Sequence, residues 1–501
     1  VLAELVDAAA SAAGDLPGAA RSLAPAIAKI VSIAAVLAQI ALIPAVLVRR
    51  KESASTIAWI LTLLFLPVIG GVLFVLFGRE RLRLSATRKL AAQAGTRARL
   101  PANATPRGLA LERLSAEDRP LFRVGSLLGN TQATEGNRVR LFSRGAEAID
   151  AKLAAIARAE RSVHAEYYLV RDDVTGHQFR RALIDAAARG ARVRLLVDGF
   201  GSLAVGPAWE RALAGGGVQL ARFLPIAALG AGLSSRWFGA FQWNLRNHRK
   251  ILVIDGQVAF TGGVNVGDDV REWRDTHLRI EGPAVAALQS MFIEDWEFAT
   301  GRAVDDGLDF PTSEADHEAE AIVEVVGSGP DRHTEAIHRV FFSAIANART
   351  RVALTTPYFV PDRALMVALA TAALSGVEVQ LLVPAHSNHR VTWAAGRAYY
   401  DELLEAGVQI WEYQPGLVHA KTILVDRRVA LIGSANLDNR SFRLNFEVHT
   451  IIRSAAVAAS LEAIFEADLA RSVRLDRAAF AQRGLRARVA EGFGRLMAPM
   501  L

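Results

Sequence analysis

Cysteine is absent from the 501 residues. That excludes thiol nucleophiles, disulfide staples and cysteine-ligated zinc, and leaves the compartment open. The histidines offer no metal site in its place. His164, His277, His386, His389 and His449 occur in no ligand pattern and read as structural or substrate-facing side chains. No metal and no cofactor are expected. Charge is missing from two stretches, residues 30–48 and residues 57–77.

What is present is apolar and basic. Hydrophobic residues make up 51% of the chain and the mean hydropathy is +0.22, which points to membrane segments rather than disorder. Lys and Arg outnumber Asp and Glu by 58 to 51, for a net charge of +7. A basic excess suits an anionic partner, either nucleic acid or an anionic lipid surface.

The two uncharged stretches are long enough, at about 1.5 Å per residue, to span a hydrocarbon core of about 30 Å as helices. The segment between them, residues 49–56, is polar and basic, so the pair reads as a transmembrane hairpin with both flanks on one side. Pro44 and Pro67 are tolerable in such helices. A signal peptide is not the reading, because an Ala-rich segment with Glu4, Asp7 and Asp15 comes first. Arg79, Arg81, Arg83, Arg88 and Lys89 outweigh Arg49, Arg50 and Lys51, which favours a cytoplasmic catalytic side. The expected organisation is an N-terminal segment (1–29), the hairpin (30–78), a partly helical linker (79–135), and two lobes (136–315 and 316–501).

The two lobes are copies of one unit. Residues 157–173 match 347–362, each a helix end, an apolar strand, an aromatic pair and an Asp. Residues 188–202 match 374–388, and 212–225 match 403–415. Continuous apolar strands after glycine turns indicate a buried parallel or mixed sheet. The expected fold is therefore α/β: two pseudo-symmetric lobes with mixed sheets flanked by helices, facing each other across a cleft.

The fourth matching block carries the chemistry. His248, Lys250 and Asp255 form a His-x-Lys-x4-Asp motif, followed by Thr261-Gly262-Gly263 and Asn265. His419, Lys421 and Asp426 repeat it, with Gly433-Ser434 and Asn436 at the same offsets. On a strand His and Lys at i and i+2 face one way, while Arg249 and Ala420 face the other. Asp255 and Asp426 complete the motifs and count with the catalytic set, although the strand carries them to its far end, where a structural role fits better. The glycine pairs let a backbone or a phosphate approach closely.

Cleaving a phosphodiester at phosphorus needs a nucleophile, an acid for the leaving alcohol, and positive charge for the equatorial oxygens. A neutral imidazole can attack, and a second, protonated imidazole can supply the proton. Lys250 and Lys421 would bring charge, and Asn265, Asn436, Gly263 and Ser434 would bind phosphate. A carboxylate beside each histidine would fix its tautomer. Asp275 and Glu447, similarly placed downstream of the two motifs, are the candidates, and which histidine each serves stays open.

The blocks RNHRKILVIDGQVAFTGGVNVGDD and HAKTILVDRRVALIGSANLDNRSFRLNFEV, with SASTIAWILTLLFLPVIGGVLFVLFGR ahead of them, resemble the phospholipase D superfamily and, within it, the bacterial cardiolipin synthases. The resemblance covers residues 30–501. It departs at Thr261-Gly262-Gly263, where many members have Gly-Ser. It implies metal-free transfer of a phosphatidyl group between two phosphatidylglycerol molecules through a phosphohistidine, with release of glycerol, at the bacterial inner (cell) membrane. It implies His248 as nucleophile and His419 as acid and base. Implied partners are phosphatidylglycerol, other anionic phospholipids and the membrane, with no nucleic acid; self-association stays open. Hydrolysis, transfer to another alcohol, DNA cleavage and a non-catalytic membrane scaffold are the competing readings.

Three further segments carry expectations. Residues 224–243 are apolar and aromatic, as a membrane-dipping or acyl-lining segment would be, or a packed loop. Residues 471–501 carry seven Arg among apolar residues, which suits either a basic helix on an anionic leaflet or an ordinary surface helix. Asn388, His389 and Arg390 follow a strand as headgroup contacts would, and Glu166, Tyr167, Tyr168 and Tyr358 end strands near the expected site.

Overall fold

A computed structural model of the chain describes residues 41–48, 53–66, 69–74, 89, 94–96, 98–105, 108–129, 131–225, 245–304, 308–311, 320–331 and 334–498. They fall into two units, residues 1–84 and residues 85–501.

In the first unit the helices Ile43–Leu47, Ser53–Phe65 and Ile69–Leu73 pack Val46, Leu63 and Phe74 together. Trp59 lies edge-on to Phe74 at 5.4 Å. The single helix expected over residues 57–77 is broken. The helix ends at Phe65, ahead of Pro67, a residue type with no N–H to continue the ladder. Gly70 lies so close to the preceding helix that a Cβ there would fall 2.3 Å from the Thr62 carbonyl oxygen. No helix among the described residues is long and apolar enough to cross a membrane. Most of the first uncharged run lies outside the described residues.

The second unit is organised by one sheet. Its strands are β1 (Thr134–Arg144), β2 (Ser162–Tyr167), β3 (Arg192–Asp198), β4 (Gln219–Phe223), β5 (Arg246–Asn247), β6 (Lys250–Ile254), β7 (Val258–Gly262), β8 (Arg274–Glu281), β9 (Ala321–Ser328), β10 (Arg351–Thr355), β11 (Phe359–Val360), β12 (Glu378–Pro384), β13 (Gln409–Tyr413), β14 (Thr422–Val425), β15 (Val429–Gly433), β16 (Leu437–Asp438), β17 (Asn445–Arg453) and β18 (Ser472–Arg474). Among the described residues, only β11 and β16 pair apart from it. Read outward from the centre, one half runs β1-β8-β7-β6-β2-β3-β4 and the other β9-β17-β15-β14-β10-β12-β13, with β18 on the second edge. The two orders correspond strand for strand, so the internal repeat is a structural repeat about the β1–β9 junction. There the ladder is irregular between Thr134 and Asn137. The Asn137 amide fills the gap, donating to the carbonyls of Thr134 and Ala321 while its oxygen accepts the Ala284 N–H.

Within each half, three parallel strands (β2, β3, β4; β10, β12, β13) join an antiparallel set (β6, β7, β8; β14, β15, β17). The Asp closing the first repeated block caps the following helix in both copies. Asp173 accepts the Gly176 N–H, and Asp362 the Leu365 N–H. Along β6, Leu252 and Ile254 enter the core of the first half, while Ile251 and Val253 enter a core shared with Leu424, Ile432 and Val448. Because that shared core takes residues from both halves, separating them would expose it to water.

The motif aspartates sit at the far ends of their strands in left-handed turns, φ 52° at Asp255 and 50° at Asp426. The Asp255 carboxylate accepts the N–H groups of Glu160, Arg161 and Ser162, at 2.7 Å for Arg161 and 2.8 Å for Ser162. Asp426 does the same for Arg349, Thr350 and Arg351. Their place in the catalytic set is therefore corrected: both carboxylates are occupied in fastening the entry of β2 or β10. Asp255→Ala should lower unfolding stability by about 1–3 kcal/mol, because three amides lose a charged acceptor. The shift of the urea midpoint measures it, and an unchanged midpoint would contradict the fastening role.

Candidate active site

His248 lies just ahead of β6 and His419 just ahead of β14. The chain before each histidine crosses to the other half. β5 pairs in parallel with β17, and the His248 N–H donates to the Phe446 carbonyl at 2.9 Å. Symmetrically, Val418 bridges Arg274, and the His419 N–H donates to the Arg274 carbonyl at 2.7 Å. Each histidine is thereby laid beside the strand that carries the other half's carboxylate. His248 Nδ1 is 2.9 and 3.0 Å from the two oxygens of Glu447, and His419 Nδ1 is 2.7 Å from Asp275 Oδ2. An Nδ1–H donated to a carboxylate leaves Nε2 as the free lone pair of each ring.

The carboxylates are themselves held. Glu447 accepts from the Ser434 hydroxyl and, at 3.1 Å, from the Asn445 amide. Asp275 accepts the Thr276 N–H at 2.7 Å. Two expected phosphate contacts therefore act differently. The Ser434 hydroxyl serves Glu447, and Gly263 makes room for Asp275, whose Oδ1 would lie 2.0 Å from a Cβ there. The first half thus pairs Asp with Gly where the second pairs Glu with Ser, so the longer acid has the hydroxyl partner. The neighbouring glycines accommodate imidazoles: a Cβ would fall 2.8 Å from His277 Nδ1 at Gly262 and 2.3 Å from His449 Nδ1 at Gly433. His277 and His449 are buried.

Lys250 Nζ donates to the His248 carbonyl, and Lys421 Nζ to the His419 carbonyl, with His419 Nδ1 at 2.9 Å. Burial lowers the Lys250 ammonium to about 7 and the Lys421 ammonium to about 8, with Glu447 opposing the fall at Lys250 and Asp275 at Lys421. Burial also takes both histidines down to about 4, and each feels the other motif's lysine as well as its own. The two motifs therefore share one electrostatic site. Burial would raise Glu447, but His248 and Lys250 outweigh it and hold the carboxyl near 2.

Asn265 Oδ1 accepts the Leu169 N–H at 3.3 Å, and the Asn436 amide donates to Asp438 at 3.1 Å. Tyr168 stands edge-on to His248 at 5.1 Å, and Tyr358 lies 6.3 Å from His419. Tyr358 donates to Asn388 Oδ1 at 2.8 Å and packs edge-on to His389, which brings that expected headgroup segment to the site's rim. Tyr167 turns into the core against Phe179, and Glu166 accepts from the Asn247 amide. Most of residues 224–243 lies outside the described residues.

Sequence reasoning missed Trp273, 4.8 Å from His419, although it adjoins Asp275 and could have been found there. It also missed the reach of Arg249. This side chain points away from the histidines, as alternation requires, and joins Asp295, with its Nε donating to the Glu447 carbonyl at 3.2 Å. Lys89, from the linker, meets the same Asp295 at 2.7 Å, and its ammonium lies 3.7 Å from the Phe446 ring centroid. The sequence had marked Lys89 only as one of the basic residues after the second uncharged run, whereas it is buried here, and no pattern marked Asp295.

The fold and the histidine pair define a two-lobed protein of the phospholipase D type. A solved phosphatidylserine synthase from Haemophilus influenzae shares the fold, with a TM-score of 0.57 at 13% identity, over 76% of this chain and 100% of that one. Sequence comparison narrows the class. The family described as "Cardiolipin synthase, PLD-like domain" matches residues 153–296 and 341–469, and "Phospholipase_D-nuclease N-terminal" matches residues 33–79. A cardiolipin synthase from Geobacillus kaustophilus is 37% identical over 90% of both chains. Cardiolipin synthase A from Pseudomonas aeruginosa is 39% identical over 87% of this chain and 89% of its own. The chain belongs to the cardiolipin synthase family, and it is a phosphatidyltransferase.

The exchange of carboxylates between halves is open to a direct test. Asp275→Ala should shift the imidazole 15N resonances of His419 and leave those of His248 in place, while Glu447→Ala should do the reverse. Each carboxylate acting on its own half's histidine would contradict the assignment.

Proposed function

We propose that this protein joins two phosphatidylglycerol molecules into cardiolipin and glycerol through a phosphatidyl-histidine. The observation that carries the reading is the pair of imidazoles, each with Nδ1 against a buried carboxylate and each beside a buried lysine. His248 Nε2 attacks phosphorus, and the glycerol oxygen leaves with a proton from His419. As the N–P bond forms the His248 ring gains positive charge, which Glu447, held by Ser434 and Asn445, offsets. A headgroup hydroxyl of the second phosphatidylglycerol then gives its proton to His419 and attacks phosphorus. The N–P bond breaks, and both imidazoles return to their starting states.

Lys250 and Lys421 balance the phosphate oxygens, with Asn265 and Asn436 as further contacts. The anionic phosphate would favour the charged forms of both lysines and of His419, countering the depression that burial imposes. The uncharged runs at residues 30–48 and 57–77 anchor the chain in the bilayer as a multi-pass segment, with the lobes on the cytoplasmic side. The absence of charge from both runs, the basic residues after the second run and the N-terminal family match at residues 33–79 support this.

Protein reconstituted in phosphatidylglycerol vesicles should yield cardiolipin and glycerol in equal amounts. Phosphatidic acid as sole product would mean hydrolysis instead. His248→Ala and His419→Ala should each lower turnover by ~10^4-fold, as loss of a group acting in a unit does. In His419→Ala, phosphate label should accumulate on His248; in His248→Ala, label on His419 would reverse the roles.

The pH profile supplies a second test. Lys250 and Lys421 lose their protons as pH rises through about 7 and about 8, so kcat/KM should fall across that window. A flat profile to pH 9 would remove the lysines from phosphate binding.

A further inference from the structure

The C-terminal helix Leu485–Met497 is inside out. Its buried positions are Glu491 and Gly494. Glu491 accepts from Arg483 at 2.7 Å and from Arg397 at 3.4 Å, and Gly494 sits where a Cβ would come 2.6 Å from the backbone nitrogen of Ala395. The apolar side chains face outward instead: Leu485 is 75% exposed, Val489 62%, Phe493 63% and Leu496 78%. At about 100° per residue these four fall within an arc of about 80°, on the side opposite Glu491, Gly494 and Ala498. Polar anchoring on the inside and a narrow apolar stripe on the outside reverse the usual pattern of a surface helix. The helix is held in place by ion pairs, so fraying does not account for the exposure.

The surroundings point to what covers the stripe. Arg486, Arg488 and Arg495 flank it, and Arg390 and the half-exposed Val391 lie on the helix Arg390–Arg397 against which it packs. Basic residues beside an apolar stripe match a surface that is anionic outside and hydrocarbon beneath. The position is also close to the chemistry. The Ala498 carbonyl accepts from the Asn439 amide at 3.2 Å, and Asn439 opens the helix three residues after Asn436. His389, against Tyr358 at the rim, immediately precedes the neighbouring helix.

We propose that the Leu485, Val489, Phe493 and Leu496 face of this helix docks on an anionic phospholipid bilayer and sets the rim of the active site at the membrane surface. The proposal rests on the lipid substrate argued above, but it assigns a separate surface with its own readout. Leu485, Val489, Phe493 and Leu496 enter the headgroup and upper acyl region while the flanking Arg side chains pair with lipid phosphates. Substrate would then reach Tyr358 and His419 from the leaflet the helix lies on.

Because the chain has no cysteine, Phe493→Cys can carry one environment-sensitive fluorophore, and the exposed Ser460→Cys on the helix Ala455–Leu469 serves as reference. Full-length protein is placed in vesicles of phosphatidylglycerol and phosphatidylcholine containing a nitroxide-labelled lipid. The label at position 493 should shift to the blue and be quenched roughly threefold more than the label at 460, an excess that shrinks as phosphatidylglycerol is replaced by phosphatidylcholine. Equal quenching at the two positions would overturn the proposal. So would shielding at 493 that persists without lipid and accompanies a doubled molecular mass, because the stripe would then cover a second copy.

The double substitution Phe493→Ser with Leu496→Ser should raise KM for vesicle substrate by roughly tenfold and leave kcat near its original value. An unchanged KM would count against docking. The fluorescence reading does not depend on turnover. A quenched label on a protein that makes no cardiolipin would fault the function alone, and an unquenched label on an active synthase would fault the docking alone.

Discussion

The active site depends on an exchange. Glu447 of the second half holds His248 of the first, and Asp275 of the first holds His419 of the second. The exchange is fixed by backbone pairing, with β5 laid on β17 and Val418 on Arg274. One half alone would therefore carry a histidine with no orienting carboxylate and a carboxylate with no histidine. Burial makes this consequential: both acids and both lysines are out of water, where a charge without its partner is costly.

Behind the site a second set of buried charges continues the same logic. Arg249 projects from the opposite face of the catalytic strand, bonds the Glu447 carbonyl and meets Asp295 on the helix Val285–Thr300. Lys89 completes the group through Asp295 and sits over Phe446, the residue whose carbonyl receives the His248 N–H. The same helix takes a further linker contact, Arg99 on Glu297 at 2.6 Å. Linker residues thus help support the backbone that positions the first histidine. Removing one partner from such a buried group leaves an uncompensated charge out of water, which is costly.

Much of this was legible in the chain, for reasons tied to particular residues. The matching blocks at 188–202 and 374–388 became β3 and β12 because continuous apolar runs suit strands covered on both faces. Asp275 and Glu447 stood out because each follows its motif at a comparable distance. Other expectations failed where one residue type serves two purposes. Ser434 and Gly263 looked like phosphate contacts, since hydroxyls and glycines often are, but their neighbours claim them. The run at residues 57–77 looked like one helix because hydropathy does not register the end of the helix at Phe65, ahead of Pro67.

The sequence by itself determined the repeat, the two motifs and the histidine chemistry they imply, because strand alternation and turn residues act over a few positions. It also set the outward apolar stripe at Leu485, Val489, Phe493 and Leu496, which follows from helical spacing once the buried side is known. Only the tertiary structure decided which carboxylate serves which histidine, that Ser434 serves Glu447, and that Lys89 lies behind Phe446. Those contacts join residues far apart in the chain, 199 positions for His248 and Glu447 and 144 for His419 and Asp275. They arise from the pairing of β5 with β17 and of Val418 with Arg274, and no local pattern in the sequence encodes a pairing between halves.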